Sequence, residues 1–309
     1  MPLHPEYDAM LKQLAAAPGP ALSDMPVSDA RAMYRMMRPA APELAVGRVE
    51  DRTVPGPGGA IPLRIFTPSG SGPFPVFVNF HGGGWVIGDL ETADAISREF
   101  CNRVGCIVVA VDYRLAPEHR FPAAVDDCYA ATRWVADHAR ELNADSARLA
   151  VGGESAGGNL AAIVCHLARD RGGPPIRFQL LAYPVTDAKF DTPSYRDNAE
   201  GYLLTRESME WFWNTYCPDG AARVNPLATP LNATSFAKLP PALVMTAEFD
   251  PLRDEGAAYA NKLKAAGVAA EYVCFDGLIH DFLAMSRQFS SVKPAMDRAV
   301  ASLSGAIAR

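Results

Sequence analysis

The sequence has few of the features that mark redox, metal-dependent or membrane-bound proteins. Its six cysteines form no C-x-x-C pair and lie beside no histidine cluster, so we expect reduced thiols that fill space in the core. No stretch approaches the roughly 18 consecutive apolar residues of a membrane-spanning helix. The first residues lack the basic and then apolar pattern of a signal peptide. We therefore expect a cytoplasmic protein with no stable membrane association.

Patterns for binding charged ligands are equally sparse. The net charge of −6 is small for 309 residues and gives no electrostatic basis for binding nucleic acid. The sequence shows no phosphate-binding loop and no histidine–carboxylate cluster, so we expect no metal ion and no cofactor. What the chain does contain is 49% hydrophobic and 21% charged residues, a composition typical of soluble globular proteins.

From about residue 46 onward, predicted strands alternate with predicted helices. The first two strands, Val46–Arg52 and Ile61–Phe66, should form an antiparallel hairpin. Short continuous apolar runs, typical of strands buried on both faces, follow at Val76–Phe80, Ile107–Asp112, Leu149–Gly152, Phe178–Ala182, Ala242–Ala247 and Tyr272–Phe275. Helical patterns separate them at Thr92–Val104, Ala123–Glu141, Gly158–Arg169, Asp254–Ala266 and Val292–Ile307. This alternation predicts an α/β fold with a mostly parallel sheet of about eight strands.

Two segments interrupt this alternation. Residues 1–45 contain short helical runs separated by prolines, and residues 190–236 form an insertion that carries two of the four tryptophans. The insertion follows the carboxyl end of a strand, where loops of α/β folds build binding sites. We therefore predict a helical cap, made of 1–45 and 190–236, over a catalytic domain made of 46–189 and 237–309. The methionine-rich run at 33–37 either covers a pocket or packs in an ordinary way.

Two glycine-rich segments directly follow predicted strands. The first is H-G-G-G-W at 81–85, and the second is G-E-S-A-G at 153–157. The second matches G-x-S-x-G, which holds a serine on a tight strand-to-helix turn with its hydroxyl exposed. Glycines of the first can turn backbone N–H groups toward a developing oxyanion. We predict Ser155 as a nucleophile, and as oxyanion donors the N–H groups of Gly82, Gly83 and Ala156.

A serine hydroxyl becomes an effective nucleophile only when a base accepts its proton. Of the six histidines, His280 is the only one beyond residue 166, and it follows the last predicted strand. In enzymes that carry the G-x-S-x-G turn on an α/β sheet, the serine, the acid and the histidine follow in this order along the chain, and His280 fits that order. His166 lies about three turns along the helix that follows Ser155 and is expected to point away.

Three carboxylates are candidates for orienting His280. Asp250 follows a predicted strand and precedes Pro251, so it also has the pattern of a helix N-cap. Its place between Ser155 and His280 favours it as the acid of a catalytic triad. Asp254 and Glu248 remain alternatives.

These segments make the chain similar to the hormone-sensitive-lipase-like branch of the α/β-hydrolases, a family of bacterial carboxylesterases. Its G-D/E-S-A-G-G pattern is present at 153–158, its Y-R-L-A-P-E at 113–118 and its D-P-L-R-D-E at 250–255. The match covers about residues 45–309. The resemblance implies an α/β-hydrolase fold with a helical cap and the triad Ser155, Asp250 and His280. It also implies hydrolysis of short-to-medium acyl esters through an acyl-enzyme.

One residue departs from the family pattern. The family commonly has glycine after the catalytic histidine, and this chain has Asp281. If the position requires a positive φ, aspartate tolerates it better than most residues. Its carboxylate would then lie near the imidazole of His280, and we expect it to raise the pKa of that group.

Substrate and partners are less sharply predicted. Six apolar residues belong to segments expected to face the site, or else to the core: Trp85, Ile87, Tyr183, Leu204, Met209 and Phe212. A non-catalytic small-molecule receptor, an amidase, a lactonase and a dehydratase are alternatives to an esterase. The retained serine and histidine favour hydrolysis of a small ester. A homodimer is expected if the strand at Tyr272–Phe275 forms a free edge of the sheet.

Overall fold

The computed structural model describes residues 2–17 and 19–308, and within them eight strands form one sheet in the order β1-β2-β4-β3-β5-β6-β7-β8. The strands are β1 Arg48–Gly56, β2 Gly59–Thr67, β3 Phe74–Phe80, β4 Ile107–Val111, β5 Ala144–Glu154, β6 Ile176–Ala182, β7 Ala242–Phe249 and β8 Ala270–Ile279. Strand β2 pairs antiparallel with β1 and β4, and all other neighbours are parallel. The predicted α/β fold with a mostly parallel sheet is confirmed.

The described residues contain nine α-helices, five of which cover the two faces of this sheet. They are α1 Pro5–Ala16, α2 Val27–Met37, α3 Asp94–Phe100, α4 Ala123–Asp137, α5 Ala156–Asp170, α6 Pro193–Asp197, α7 Arg206–Tyr216, α8 Arg253–Ala265 and α9 Lys293–Ile307. Helices α4, α5 and α8 belong to one hydrophobic cluster, whereas α3 and α9 belong to another. The sheet therefore separates two cores, as expected when helices cover both faces.

Strand β4 shows why its sequence is apolar throughout. Ile107, Val109 and Val111 belong to the core that contains α5, and Val108 and Ala110 belong to the core that contains α9. Successive side chains of a strand point to opposite faces, so a strand covered on both faces needs apolar residues at every position. The same physical reason produced the continuous apolar runs in the sequence.

Element ends differ from the predicted ones where pairing extends beyond the apolar run. Strands β1 and β2 continue to the turn, where Gly56 pairs with Gly59. Strand β8 reaches Ile279, which pairs with Phe249. Helix α4 ends at Asp137 and not at Glu141, because the chain turns there toward β5, with the Ala144 N–H bonded to the Ala139 carbonyl.

The parallel register brings the carboxyl ends of four strands to one edge of the sheet. Phe80 of β3 pairs with Gly153 of β5, and Phe249 of β7 pairs with Ile279 of β8. The glycine-rich loop, Ser155, Asp250 and His280 each follow one of these strands. The topology therefore collects them at the edge where α/β folds bind their ligands.

The segments outside the strand–helix alternation meet above this edge. Helix α2 precedes β1, and α7 lies between β6 and β7. The Ser23 hydroxyl, before α2, donates a 2.8 Å hydrogen bond to Glu207 of α7. Two stretches far apart in the chain thus contact each other above this edge of the sheet.

None of the helices within residues 2–17 and 19–308 is both long and apolar enough to cross a membrane. No group of three or more His, Cys, Asp or Glu side chains in this part of the chain is arranged to hold a metal ion. All six cysteines are free thiols, five of them buried and Cys274 partly so.

Candidate active site

Ser155 lies on a sharp turn between β5 and α5. Its φ of 55° and ψ of −116° are unusual for a residue with a Cβ, and its N–H and carbonyl are bonded to Ala182 and Asn159. The turn lets α5 pass close under β3, since a Cβ on Gly157 would collide with the carbonyl oxygen of Phe80. The glycine of the sequence motif is required here by close backbone approach.

The structure brings the three predicted triad residues together. His280 Nε2 lies 3.1 Å from Ser155 Oγ, and His280 Nδ1 lies 2.7 Å from Asp250 Oδ2. The exposed fractions are 7% for Ser155, 6% for His280 and 0% for Asp250, so the acid is hidden and the nucleophile retains access to the cavity. This geometry allows proton transfer from the hydroxyl to the imidazole.

Asp250 combines the two roles that the sequence left open. Its Oδ1 accepts a 2.8 Å hydrogen bond from the Leu252 N–H just before α8, while Oδ2 binds His280. The alternatives lie elsewhere: Asp254 accepts from the Ser194 N–H, and Glu248 accepts from the Gly277 N–H. Geometry therefore favours Asp250.

The electrostatics of His280 combine opposing influences. Burial lowers the pKa of the imidazole, but the charge and the hydrogen bond of Asp250 and the charge of Asp281 raise it, so that the pKa lies above its ordinary value. Arg38 opposes this with a smaller lowering influence on the same pKa. An imidazolium formed during reaction is thus stabilised.

The glycine-rich loop folds back on itself beside Ser155. Gly83 has a φ of 109°, and its carbonyl accepts hydrogen bonds from the N–H groups of Val86 and Ile87 at 3.0 and 2.9 Å. A Cβ at Gly83 would collide with the Ile87 carbonyl. Gly83 and Ser155 line the same cavity, and Ala156 follows Ser155 as the first residue of α5. Of the three predicted oxyanion donors, Gly83 thus lines the cavity and Ala156 adjoins the nucleophile in the chain.

A cavity of about 350 Å³ lies over Ser155 and His280. Four of the six predicted pocket residues line it: Ile87, Leu204, Met209 and Phe212. The methionine-rich run contributes Met33, Tyr34 and Met37, whereas Met36 is 77% exposed. Side chains from both interrupting segments therefore form the walls.

Two predicted pocket residues, Trp85 and Tyr183, do not line this cavity, and their placement is corrected. Trp85 is fully buried and stacks on Tyr216, with ring centroids 4.4 Å apart; with a φ of 60° its side chain turns toward α7. Tyr183 is also fully buried and donates its hydroxyl to Glu154 at 2.8 Å. Both support elements that carry the site.

Asp281 has the positive φ that the family pattern suggested, 71° in the left-handed region. Its carboxylate binds Arg38, a residue that the sequence did not single out. Arg38 also binds Glu154, beside Ser155. No local pattern marks this arginine, because its partners lie 116 and 243 positions away.

Comparison with known proteins agrees with this fold and geometry. A family model described as the α/β-hydrolase fold matches residues 77–284. The chain is 42% identical to Carboxylesterase NlhH of Mycobacterium tuberculosis over 318 residues, 98% of this chain and 97% of that protein. It is 48% identical to Carboxylic ester hydrolase LipN of the same organism over 241 residues, 76% of this chain; the chain spans just under two thirds of LipN, 64%.

A solved structure is similar over the whole chain. It is that of a thermostable esterase from Pseudomonas putida, with a TM-score of 0.95 and 43% identity, covering 99% of this chain and 98% of that one. The chain therefore belongs to the α/β-hydrolase family. The resemblance predicted from the sequence motifs is confirmed.

Proposed function

We propose that this carboxylic-ester hydrolase acts through Ser155 as nucleophile, His280 as general acid and base, and Asp250 as the carboxylate that orients the imidazole. The observation that carries the proposal is the continuous pair of contacts, 3.1 Å from Ser155 Oγ to His280 Nε2 and 2.7 Å from His280 Nδ1 to Asp250. A non-catalytic receptor would have no need for this alignment.

The reaction would proceed in two steps. His280 accepts the Ser155 proton while Oγ attacks the ester carbonyl, and the N–H groups of Gly82, Gly83 and Ala156 bind the resulting oxyanion. His280 then donates its proton to the departing alcohol, which leaves an acyl-enzyme. Water, deprotonated by His280, attacks this ester in the same way and releases the acid with Ser155 restored.

The cavity supports small, weakly polar substrates. Its volume of about 350 Å³ is near the lower end of the roughly 300–1,000 Å³ typical of ligand pockets. Leucine, methionine and phenylalanine side chains form much of its wall. We therefore assign short-to-medium acyl esters as substrates, and residues 1–45 and 190–236 as the cap that encloses them over the catalytic domain of 46–189 and 237–309.

Assembly and location belong to the same proposal. Strand β8 is an edge of the sheet, and an edge strand can pair with a second copy. If two copies pair through β8, a proline at an edge residue should break the pairing, and sedimentation velocity should then show a monomer in place of a dimer. The cytoplasmic location stays a prediction from the sequence.

The test is a covalent label followed by kinetics. A fluorophosphonate should label Ser155, and Ser155→Ala should lose the label and lower kcat for p-nitrophenyl acetate on the order of 10⁶-fold. Ser208→Ala is the control, since this serine also lines the cavity and should leave labelling intact. Label on another residue, or full activity in Ser155→Ala, would contradict the assignment. A p-nitrophenyl series of increasing acyl length, with a matched anilide, separates an esterase from an amidase.

A further inference from the structure

One buried arginine connects the two turns that carry Ser155 and His280. Arg38 follows the last residue of α2, and its side chain is 6% exposed. Its Nη2 and Nη1 donate to the two carboxylate oxygens of Glu154 at 3.0 and 3.4 Å. Its Nε donates to Asp281 Oδ2 at 3.2 Å, and Nη2 also contacts Asp281 Oδ1. A single guanidinium thus holds two carboxylates, which its rigid planar fork is suited to do.

The two carboxylates have a special place in the chain. Glu154 directly precedes Ser155, and Asp281 directly follows His280. Both turns contain a non-glycine residue with a positive φ, Ser155 at 55° and Asp281 at 71°. Such conformations persist only when surrounding contacts maintain them. Arg38 supplies a contact to each turn from the same group.

We propose that Arg38 is a positioning residue of the hydrolase, which sets the distance between the Ser155 hydroxyl and the His280 imidazole by binding Glu154 and Asp281 at once. The inference rests on the proposed triad. It also gives helix α2 a role beyond forming a cavity wall, because the residue that follows the helix reaches both catalytic turns.

The neighbouring aromatic rings complete this arrangement. The Tyr34 ring lies beneath the guanidinium, 5.1 Å from Cζ to the ring centroid, a cation–π distance. The Tyr183 hydroxyl donates to Glu154 at 2.8 Å, and the Tyr183 ring packs edge-on against His280. Burial raises the pKa of both tyrosines well above its ordinary value, so both hydroxyls stay neutral.

The charges that face His280 give Arg38 a second, electrostatic effect. The carboxylates of Asp250 and Asp281 act on the charge of the imidazole, and Arg38 is a cation that binds Asp281 and Glu154. Without Arg38, the buried carboxylate of Glu154 and the partly buried carboxylate of Asp281 would repel each other uncompensated, which is unfavourable. Removal of the positive charge should also move the acid limb of kcat/KM to higher pH, since Arg38 lowers the pKa of His280 and the base must be neutral to act.

Two substitutions of Arg38 test the proposal, with kcat, KM and the pH profile as readouts. Arg38→Met should lower kcat about 10- to 100-fold, because small misplacements of reacting groups cost this much. KM should change little, since Arg38 does not line the cavity over Ser155. Arg38→Lys keeps the charge but loses the fork, so kcat should be intermediate and the acid limb should stay near that of the wild type.

Arg31→Met is the matched control on the same helix. Arg31 binds Glu118 and the carbonyls of Val86 and Ala116, so its loss loosens α2 without removing a contact to either catalytic turn. The acid limb should not move. A folded Arg38→Met with wild-type kcat and pH profile, or an equal shift of the acid limb in Arg31→Met, would overturn the proposal.

A further variant serves if Arg38→Met does not fold. Asp281→Asn suits the left-handed position and removes the second carboxylate, so its acid limb should move to lower pH with a smaller loss of kcat. An unchanged kcat and pH profile in Asp281→Asn would also overturn the proposal. Failure of the triad itself is distinguishable, because Ser155→Ala would then remain active whatever the Arg38 variants do.

Discussion

Two buried histidines lie at the same edge of the sheet and differ in what surrounds them. His81 follows β3 and is 1% exposed, and His280 follows β8 and is 6% exposed. Burial lowers the pKa of His81 to about 4, whereas the pKa of His280 lies above its ordinary value despite burial, because Asp250 contacts its ring. Burial alone lowers the pKa of an imidazole, whereas a paired carboxylate raises it.

The partners of His81 fit a structural role. Its Nδ1 lies 2.7 Å from the Gly82 carbonyl, and its ring stacks on Tyr113 with centroids 4.2 Å apart. The Tyr113 hydroxyl donates to the His81 carbonyl at 2.8 Å. His81 therefore stabilises the glycine-rich loop, whereas His280 is placed to exchange a proton.

The largest expected effect comes from removing the carboxylate that distinguishes His280. Asp250→Asn should lower kcat for a p-nitrophenyl ester on the order of 10⁴-fold, because the amide favours the wrong imidazole tautomer. Its acid limb should move to lower pH, as the influence that raises the pKa of His280 is lost. Asp254→Asn, at the alternative carboxylate, is the control and should remain within a few-fold of the wild type. Equal losses in the two variants would contradict the comparison.

A smaller effect is expected at His81. His81→Phe keeps the stacking on Tyr113 but loses the contact to the Gly82 carbonyl, worth about 1 kcal/mol, so kcat should fall by up to about tenfold. The acid limb of kcat/KM should stay in place, because a group with a pKa of about 4 is already neutral where His280 titrates. A shift of the limb in His81→Phe would show that His81 takes part in proton transfer.

The smallest effect concerns stability at a third buried group near this edge. Glu255 is 1% exposed and accepts from the Thr186 N–H at 2.6 Å, and burial raises its pKa well above the ordinary value. A raised folded-state pKa contributes stability that is lost as pH rises through it. As pH rises above the ordinary pKa of 4.5, the Tm of the wild type should therefore fall more than the Tm of Glu255→Gln, by on the order of 2 °C. Parallel pH dependences of Tm in the two proteins would contradict this.

The sequence was sufficient to predict the fold and to propose the triad residues, because both depend on local patterns. Continuous apolar runs mark strands buried on both faces, and the strand–glycine–serine segment encodes a sharp turn by itself. Once the strands are parallel, their carboxyl ends meet at one edge. The topology of the sheet alone therefore places Ser155, Asp250 and His280 at the same edge, whatever the details of side-chain packing.

Only the tertiary structure decided which side chains complete the site. Trp85 turned away to stack on Tyr216, Asp250 was favoured over Asp254 by a hydrogen bond, and Arg38 reached Glu154 and Asp281 across most of the chain. These outcomes depend on how separate elements pack and on where a buried charge finds its partners. Such contacts join residues that are distant in the chain, so no local pattern announces them.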